Sequence, residues 1–409
     1  MFVSKYLMRL NRLKIDFKKL YLRFMNLTQL FEEIYQEIRI EDFESRFLPF
    51  SKLKSFVDLN YPEKKLIGKS FLDNDIYLIK IGNGNKKVFG WSQMHGNEST
   101  GTRAMLDVFE FLKSENELSQ KIKESVSLYF VPMLNPDGSN RYSRRNACGI
   151  DLNRDYVKES STEIRALKRT VNEIKPDFLF NLHDQRSIFN VSGSSKPATL
   201  SFLAPSPDVQ RSVTEARKKS MDVIGYIYKQ LETVMPGHIA RFSDEFYPTS
   251  TGDNFMKAGY TNLLFEAGHF PNDYQRNEVR RFNALAILLA LEKISDSKED
   301  DSELYHKIPE NDKKSLDIVL RNVSVKSESA ESLIDIGIYF EEKLNLDKQE
   351  IGFHSRIEEI GDLSSYFGHL DLDMEGRIWI GKNSMYPEIG KAADFSVGSI
   401  HFENGVFKG

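Results

Sequence analysis

The residues best able to do chemistry in this 409-residue chain begin with an imidazole and a carboxylate three positions apart, His95 and Glu98 in WSQMHGNESTG. A strand running into a loop just before a helix would hold the two close enough to share a cation. Two further candidates stand at the ends of apolar runs, His183 in FLFNLH and Glu266 in LLFEAG. Taken singly, such a histidine is more often a hydrogen-bonded core residue, and such a glutamate can cap a helix or pair with an arginine such as Arg276. Cys148 is the single cysteine, so an internal disulfide, a CxxC redox pair and a four-cysteine zinc site are excluded. Any metal must be held by histidine and carboxylate.

The elements that must position these groups follow from periodicity. Ile76 to Ile81, Lys87 to Trp91, Val126 to Leu134, Asp177 to Leu182 and Thr261 to Phe265 read as strands. Thr100 to Lys113, Glu163 to Ile174, Val209 to Met235 and Gln275 to Ile294 read as helices, the first with Ala104, Met105, Val108, Phe109 and Leu112 on one stripe. That alternation predicts helices on both faces of a largely parallel sheet. The acidic run from Ser295 to Glu303 is expected to be a linker at 295–303, and the strand-like segments beyond it a small β-rich module at 304–409.

Composition narrows the function classes. Four hundred and nine residues call for one large unit and a smaller one, and 40% hydrophobic with 12% aromatic residues exclude disorder and low-complexity scaffolds. Fifty-six basic against 60 acidic side chains, a net charge of -4, argue against a dedicated nucleic-acid binder. No run of 18 apolar residues and no signal-peptide core is present, so the expectation is a cytoplasmic protein without stable membrane insertion. The first 24 residues carry Lys5, Arg9, Arg12, Lys14, Lys18, Lys19 and Arg23 against Asp16 alone. They read as a peripheral helix within an N-terminal helical extension, 1–49, as an upstream extension ahead of a start at Met25, or as a basic amphipathic helix for a membrane surface or an import receptor.

A second segment changes the weight of the first. LNPDGSNRYSRRNACGIDLNRDY, residues 134–156, contains N-P-D-G at Asn135 to Gly138 and D-L-N-R at Asp151 to Arg154. Together with the H-x-x-E pair, and in this order, these motifs resemble the zinc metallocarboxypeptidases, the carboxypeptidase A-like peptidases in their bacterial-type branch. The resemblance covers roughly residues 50 to 294. It implies a three-layer α/β/α fold with a mixed, mostly parallel eight-stranded sheet. It also implies one zinc ion per chain held by His95, Glu98 and His183, a ligand set of two histidines and one glutamate with a fourth position open to water.

The remaining roles are likewise what the resemblance implies. Glu266 would be the general base, Arg144 would stabilise the oxyanion with Arg145 as its rival, and Asn153 with Arg154 would grip a free C-terminal carboxylate. Asp151 would accept a hydrogen bond from His95, and Tyr247 in DEFYPTSTGDN would cover the substrate. The chain departs from the digestive members at Asn97, where they carry an arginine, and at Gly252, where a glycine offers no charge to the terminal-residue pocket. The expected function is removal of the C-terminal residue of peptides. The alternatives are an amidase or deacylase of N-acyl amino acids or cell-wall peptides, and a module that binds C-termini without cutting them. The preferred terminal residue, the oligomeric state and the task of the C-terminal module are not written in these motifs.

Overall fold

The computed structural model describes residues 25–296 and 299–408; the basic stretch at residues 1–24 lies outside them. Eight strands form the central sheet: β1 Lys65–Lys69, β2 Asp75–Ile81, β3 Lys86–Trp91, β4 Val126–Val131, β5 Phe178–Asp184, β6 Leu200–Leu203, β7 Ile239–Arg241 and β8 Thr261–Ala267. Their spatial order is β1-β2-β4-β3-β5-β8-β6-β7. The central pairs β4-β3, β3-β5 and β5-β8 are parallel, while both flanks bring in antiparallel neighbours. The sheet is therefore mixed and mostly parallel.

Side chains alternate across it because successive strand residues face opposite ways. Val88 and Phe180 enter one core with Tyr77 and Ile79, whereas Phe89, Trp91 and Leu179 enter the other with Ile76 and Leu78. The first core is covered by α1 Leu27–Ile38, α2 Phe50–Asn60, α3 Thr100–Lys113 and α4 Glu117–Ser125. A single turn, α5 Pro136–Asn140, follows β4, and α6 Thr162–Ile174 covers the second core. Helix α7 Glu215–Leu231 returns to the first core, α8 Thr251–Lys257 lends Phe255 to the second, and α9 Asn277–Asp296 closes the first. This is a three-layer α/β/α architecture.

Two expectations shift with the backbone chemistry. The helix expected over 209–235 begins only at Glu215, where the Thr214 hydroxyl accepts the Arg217 N–H at 3.3 Å. The strand expected over 126–134 stops at Val131, since Pro132 has no N–H for the ladder. Part of the acidic run is packed. Ser295 and Asp296 are the end of α9, and Asp301 is buried with its carboxylate 2.8 Å from Lys293 Nζ. The buried cation offsets the desolvation of that carboxylate, which a free linker could not.

The C-terminal module has its own core. Strands β9 Ser315–Lys326, β10 Glu331–Asn345, β11 Glu350–Gly361 and β12 Phe367–Asp373 form one sheet in the order β11-β10-β9-β12. Short strands between Trp379 and Phe407 form a second, and Trp379 stacks on Phe395 with centroids 4.0 Å apart. The module is docked against the main domain. Tyr274 donates to Asp317 Oδ1 at 2.9 Å and meets the rings of Phe340 and Phe353 at 5.4 and 5.2 Å.

Candidate functional site

Two loops build the first part of the site. After β3 the chain crosses Gln93 in the left-handed region, φ 44°, and this uncommon conformation for a side-chain-bearing residue turns the loop toward His95. Gln93 is held by its amide, which donates to Gly96 O at 3.0 Å and Ser139 Oγ at 2.9 Å and accepts from Thr102 at 2.8 Å. Asn135 of N-P-D-G donates to Met94 O at 3.3 Å and accepts the Gly138 N–H at 2.9 Å. Gly96 lies so close to this turn that a Cβ would fall 2.1 Å from the carbonyl carbon of Gly138. The N-P-D-G motif thus shapes the loop that presents His95 and Glu98. Gln93 went unnoticed in the sequence because its only signal is three-dimensional.

His183 arrives from the end of β5 and Glu266 from the end of β8, where the two are partners in parallel register. Glu98 sits between the imidazoles: Oε1 is 2.8 Å from His95 Nδ1 and Oε2 is 2.8 Å from His183 Nδ1. The ligand-capable atoms of His95, Glu98 and His183 lie within 4.8 Å of one another, and all three residues are buried. Burial opposes ionisation of Glu98, but the two imidazoles outweigh it and hold the carboxyl well below its ordinary range. Two imidazole nitrogens and a carboxylate are donors suited to zinc, so the residues present fit that ion.

Asp151 caps a short turn and serves three partners. Its Oδ1 lies 3.1 Å from His95 Nε2 and accepts the Asn153 N–H at 3.0 Å, while Oδ2 accepts Arg144 Nε at 3.0 Å. Burial raises the Asp151 pKa, yet the hydrogen bonds and charges of His95 and Arg144 prevail and keep it ionised far below the usual range. Arg144 Nη1 reaches 3.2 Å from His95 Nδ1 and 3.4 Å from Glu98 Oε1. Arg145 instead donates to Gly149 O at 2.9 Å and does not line the cleft.

The cleft has a volume of about 500 Å³ and brings together His95, Glu98, His183, Glu266, Arg144, Asn153, Arg154, Tyr247 and Gly252. Asn153 Oδ1 accepts the Thr251 N–H at 3.1 Å, and the guanidinium of Arg154 lies 4.2 Å above the Tyr247 ring. A Cβ at Gly252 would stand 3.0 Å from Asn262 Nδ2, so the glycine leaves room there. Glu266 opens onto this cleft while its Oε2 is enclosed without a hydrogen-bond partner among the described residues. Burial, and after it the charges of Glu98 and Asp184, push its pKa well up, against Arg144 and Arg276. A larger groove of about 940 Å³, beside β1, β2 and α6, holds lysines and Arg169 but no histidine. The grouping of metal-capable residues lies in the smaller cleft.

A sequence profile described as zinc carboxypeptidase matches residues 59–255. An uncharacterized protein of Zymomonas mobilis is 26% identical over 132 residues, 31% of this chain and 35% of that protein. The probable carboxypeptidase 2 of Arthroderma benhamiae is 30% identical over 100 residues, 24% of this chain and 19% of that protein. The chain thus spans about a third or less of the length of these curated relatives. The crystal structure of thrombin-activatable fibrinolysis inhibitor superposes with a TM-score of 0.50 at 14% identity, covering 66% of this chain and 77% of that one, and shares the fold. Among the described residues no helix is long and apolar enough to cross a membrane. With the profile spanning residues 59–255, just under half of the chain, this part of the protein matches the zinc carboxypeptidase family.

Proposed function

We propose that this protein is a zinc-dependent hydrolase that removes the C-terminal residue of peptides. The observation that carries the reading is the buried His95–Glu98–His183 group, whose ligand-capable atoms lie within 4.8 Å of one another in a cleft that also holds Arg154 and Glu266. Zinc bound by these three residues would polarise the scissile carbonyl and activate a water for attack on it.

The chain's own groups do the rest. Asn153 has its side-chain oxygen engaged by Thr251, which leaves the amide NH2 to donate to a substrate carboxylate. Arg154 offers two parallel N–H donors to the same carboxylate, and Tyr247 beneath its guanidinium limits how far that group swings. Arg144, fixed at Nε by Asp151, directs its remaining N–H groups to where negative charge develops on the attacked carbonyl oxygen. Glu266, with its raised pKa, accepts the proton of the attacking water and passes it to the leaving amine. Asp151 holds the ring of His95 through Nε2, so Nδ1 is the nitrogen that would hold the metal.

A carboxylate clamp of this kind also suits N-acyl amino acids or cell-wall peptides. The test is metal analysis of the purified protein together with hydrolysis of hippuryl-type and peptidoglycan-type substrates. One zinc per chain with faster release of the terminal amino acid from the hippuryl series supports the carboxypeptidase reading. Faster cleavage of the peptidoglycan series favours the amidase. Stoichiometric binding of free C-termini without any cleavage would leave only a binding module.

A further inference from the structure

Hydrogen bonds divide the cleft into two flanks. Asp151 links His95 to Asn153 on one side of the histidine–glutamate group, the side of the carboxylate clamp. On the other side Glu98 Oε2 accepts the Asp184 N–H at 3.2 Å, and Asp184 pairs with Arg276 at 3.2 Å. A substrate whose terminal carboxylate is held at Asn153 and Arg154 must run its acyl part toward this second flank.

That flank is walled by residues from three parts of the chain. Arg46, ahead of α2, is anchored by its carbonyl, which accepts Ser99 Oγ at 2.6 Å. Glu342 comes from β10 of the C-terminal module, with Oε1 2.6 Å from Arg46 Nη1 and Oε2 accepting Tyr142 OH at 2.6 Å. Both Arg46 and Glu342 line the cleft. Two short, charge-assisted hydrogen bonds leave the Glu342 side chain one position, and it is 23% exposed while Arg46 is 5% exposed. Its strand is fixed as well: the N–H of Phe340 donates to Asp317 at 2.7 Å, and Asp317 is held by Tyr274. The module is therefore a rigid wall of the cleft rather than an appendage. At about 500 Å³ the cleft falls in the lower half of the roughly 300–1,000 Å³ seen for small-molecule sites.

We propose that the C-terminal module is a length filter. Glu342, braced by Arg46 and Tyr142, ends the cleft on the acyl side, so the substrates are short: dipeptides, tripeptides or singly acylated amino acids rather than long chains. This rests on the clamp assignment made above for Asn153 and Arg154. It also gives the module a task in the same reaction.

The experiment compares two substrates with one terminal residue, a benzoylglycyl compound and an unblocked hexapeptide, on the full-length protein. Wild type should favour the short substrate by about tenfold or more in kcat/KM. Glu342→Ala should narrow that gap, chiefly through a lower KM for the hexapeptide. The double variant Arg46→Ala with Glu342→Ala should narrow it likewise, without leaving a buried cation unpaired should the single change impair folding. Equal turnover of both substrates by wild type, or an unchanged ratio in folded variants, overturns the filter while leaving the carboxypeptidase reading standing. Absence of hydrolysis of either substrate by zinc-loaded wild type overturns both.

Discussion

Glu266 ends its strand directly beside His183, its partner in parallel register on the neighbouring strand. One residue therefore belongs to the metal-capable group and the other faces the same cleft with an enclosed, unpartnered Oε2. Glu266→Gln preserves shape and removes the proposed base. The expected outcome is an unchanged zinc content with turnover lowered on the order of a hundred- to ten-thousandfold. Metal analysis and kcat on one sample check it, and wild-type turnover in the variant removes the assignment.

Arg154 lies over Tyr247, and among the described residues its one hydrogen bond is from Nη1 to Asn153 O at 3.0 Å. Arg154→Ala should cost about ten- to a hundredfold in kcat/KM for substrates ending in a free carboxylate, the worth of a charge-assisted bond. C-terminally amidated analogues should be little affected. A loss of equal size for both series would argue against terminal-carboxylate recognition.

Asp151 has a testable influence on the proposed zinc site. It aligns the His95 ring and anchors Arg144, so Asp151→Asn should weaken zinc binding by roughly ten- to a hundredfold. Competition with a zinc-binding dye measures this directly. An unaltered affinity would confine Asp151 to holding the turn.

Stability depends on a buried pair remote from the cleft. Asp107 and Arg280 are both fully buried, joined at 2.5 and 2.7 Å, and Arg280 also donates to the carbonyls of Phe43 and Ile40. Asp107→Ala leaves that guanidinium without its counter-charge and is expected to cost about 3–5 kcal/mol. Denaturant unfolding monitored by circular dichroism gives the value; a cost below about 1 kcal/mol would mean that water or a rearranged partner replaces the carboxylate.

His269 and His369 stack with centroids 4.2 Å apart where the module meets the main domain. Burial lowers both pKa values; His369, Arg276 and Arg46 lower that of His269 further, while Asp317 and the Ser187 carbonyl partly restore that of His369. Folded-state values below the unfolded value of about 6.5 mean that the unfolded chain binds more protons in that window. The stability these rings confer is thus present above about pH 6.5 and is lost as the pH falls toward the folded values. The melting temperature should drop between about pH 7.5 and pH 5.5 more in wild type than in the double variant His269→Gln with His369→Gln. Parallel pH profiles for the two proteins would exclude the pair as the cause.

Much of the main sheet was legible because strand and helix periodicities are local. Phe178 to Asp184 and Thr261 to Ala267 are mostly apolar and largely buried, and each carries a polar residue to the cleft near its C-terminal end, His183 and Glu266. The outer strands at 200–203 and 239–241 escaped notice, being too short to show a period and stabilised by pairing across distant segments. In the cleft, the residues brought together by folding include those carried by the motifs, His95, Glu98, Asn153, Arg154, His183 and Glu266.

The order and chemical types of these groups were determined by sequence alone, since a histidine, a glutamate and an arginine keep their donor atoms wherever the chain places them. Only the tertiary structure decided that Arg144 rather than Arg145 reaches the cleft, that Gln93 sustains the bend before His95, and that Glu342 crosses from the module to meet Arg46. The physical reason is range. Backbone periodicity is set by neighbours a few positions apart, whereas Arg46 and Glu342 become neighbours only when two separate cores pack together, and no spacing along the chain encodes that encounter.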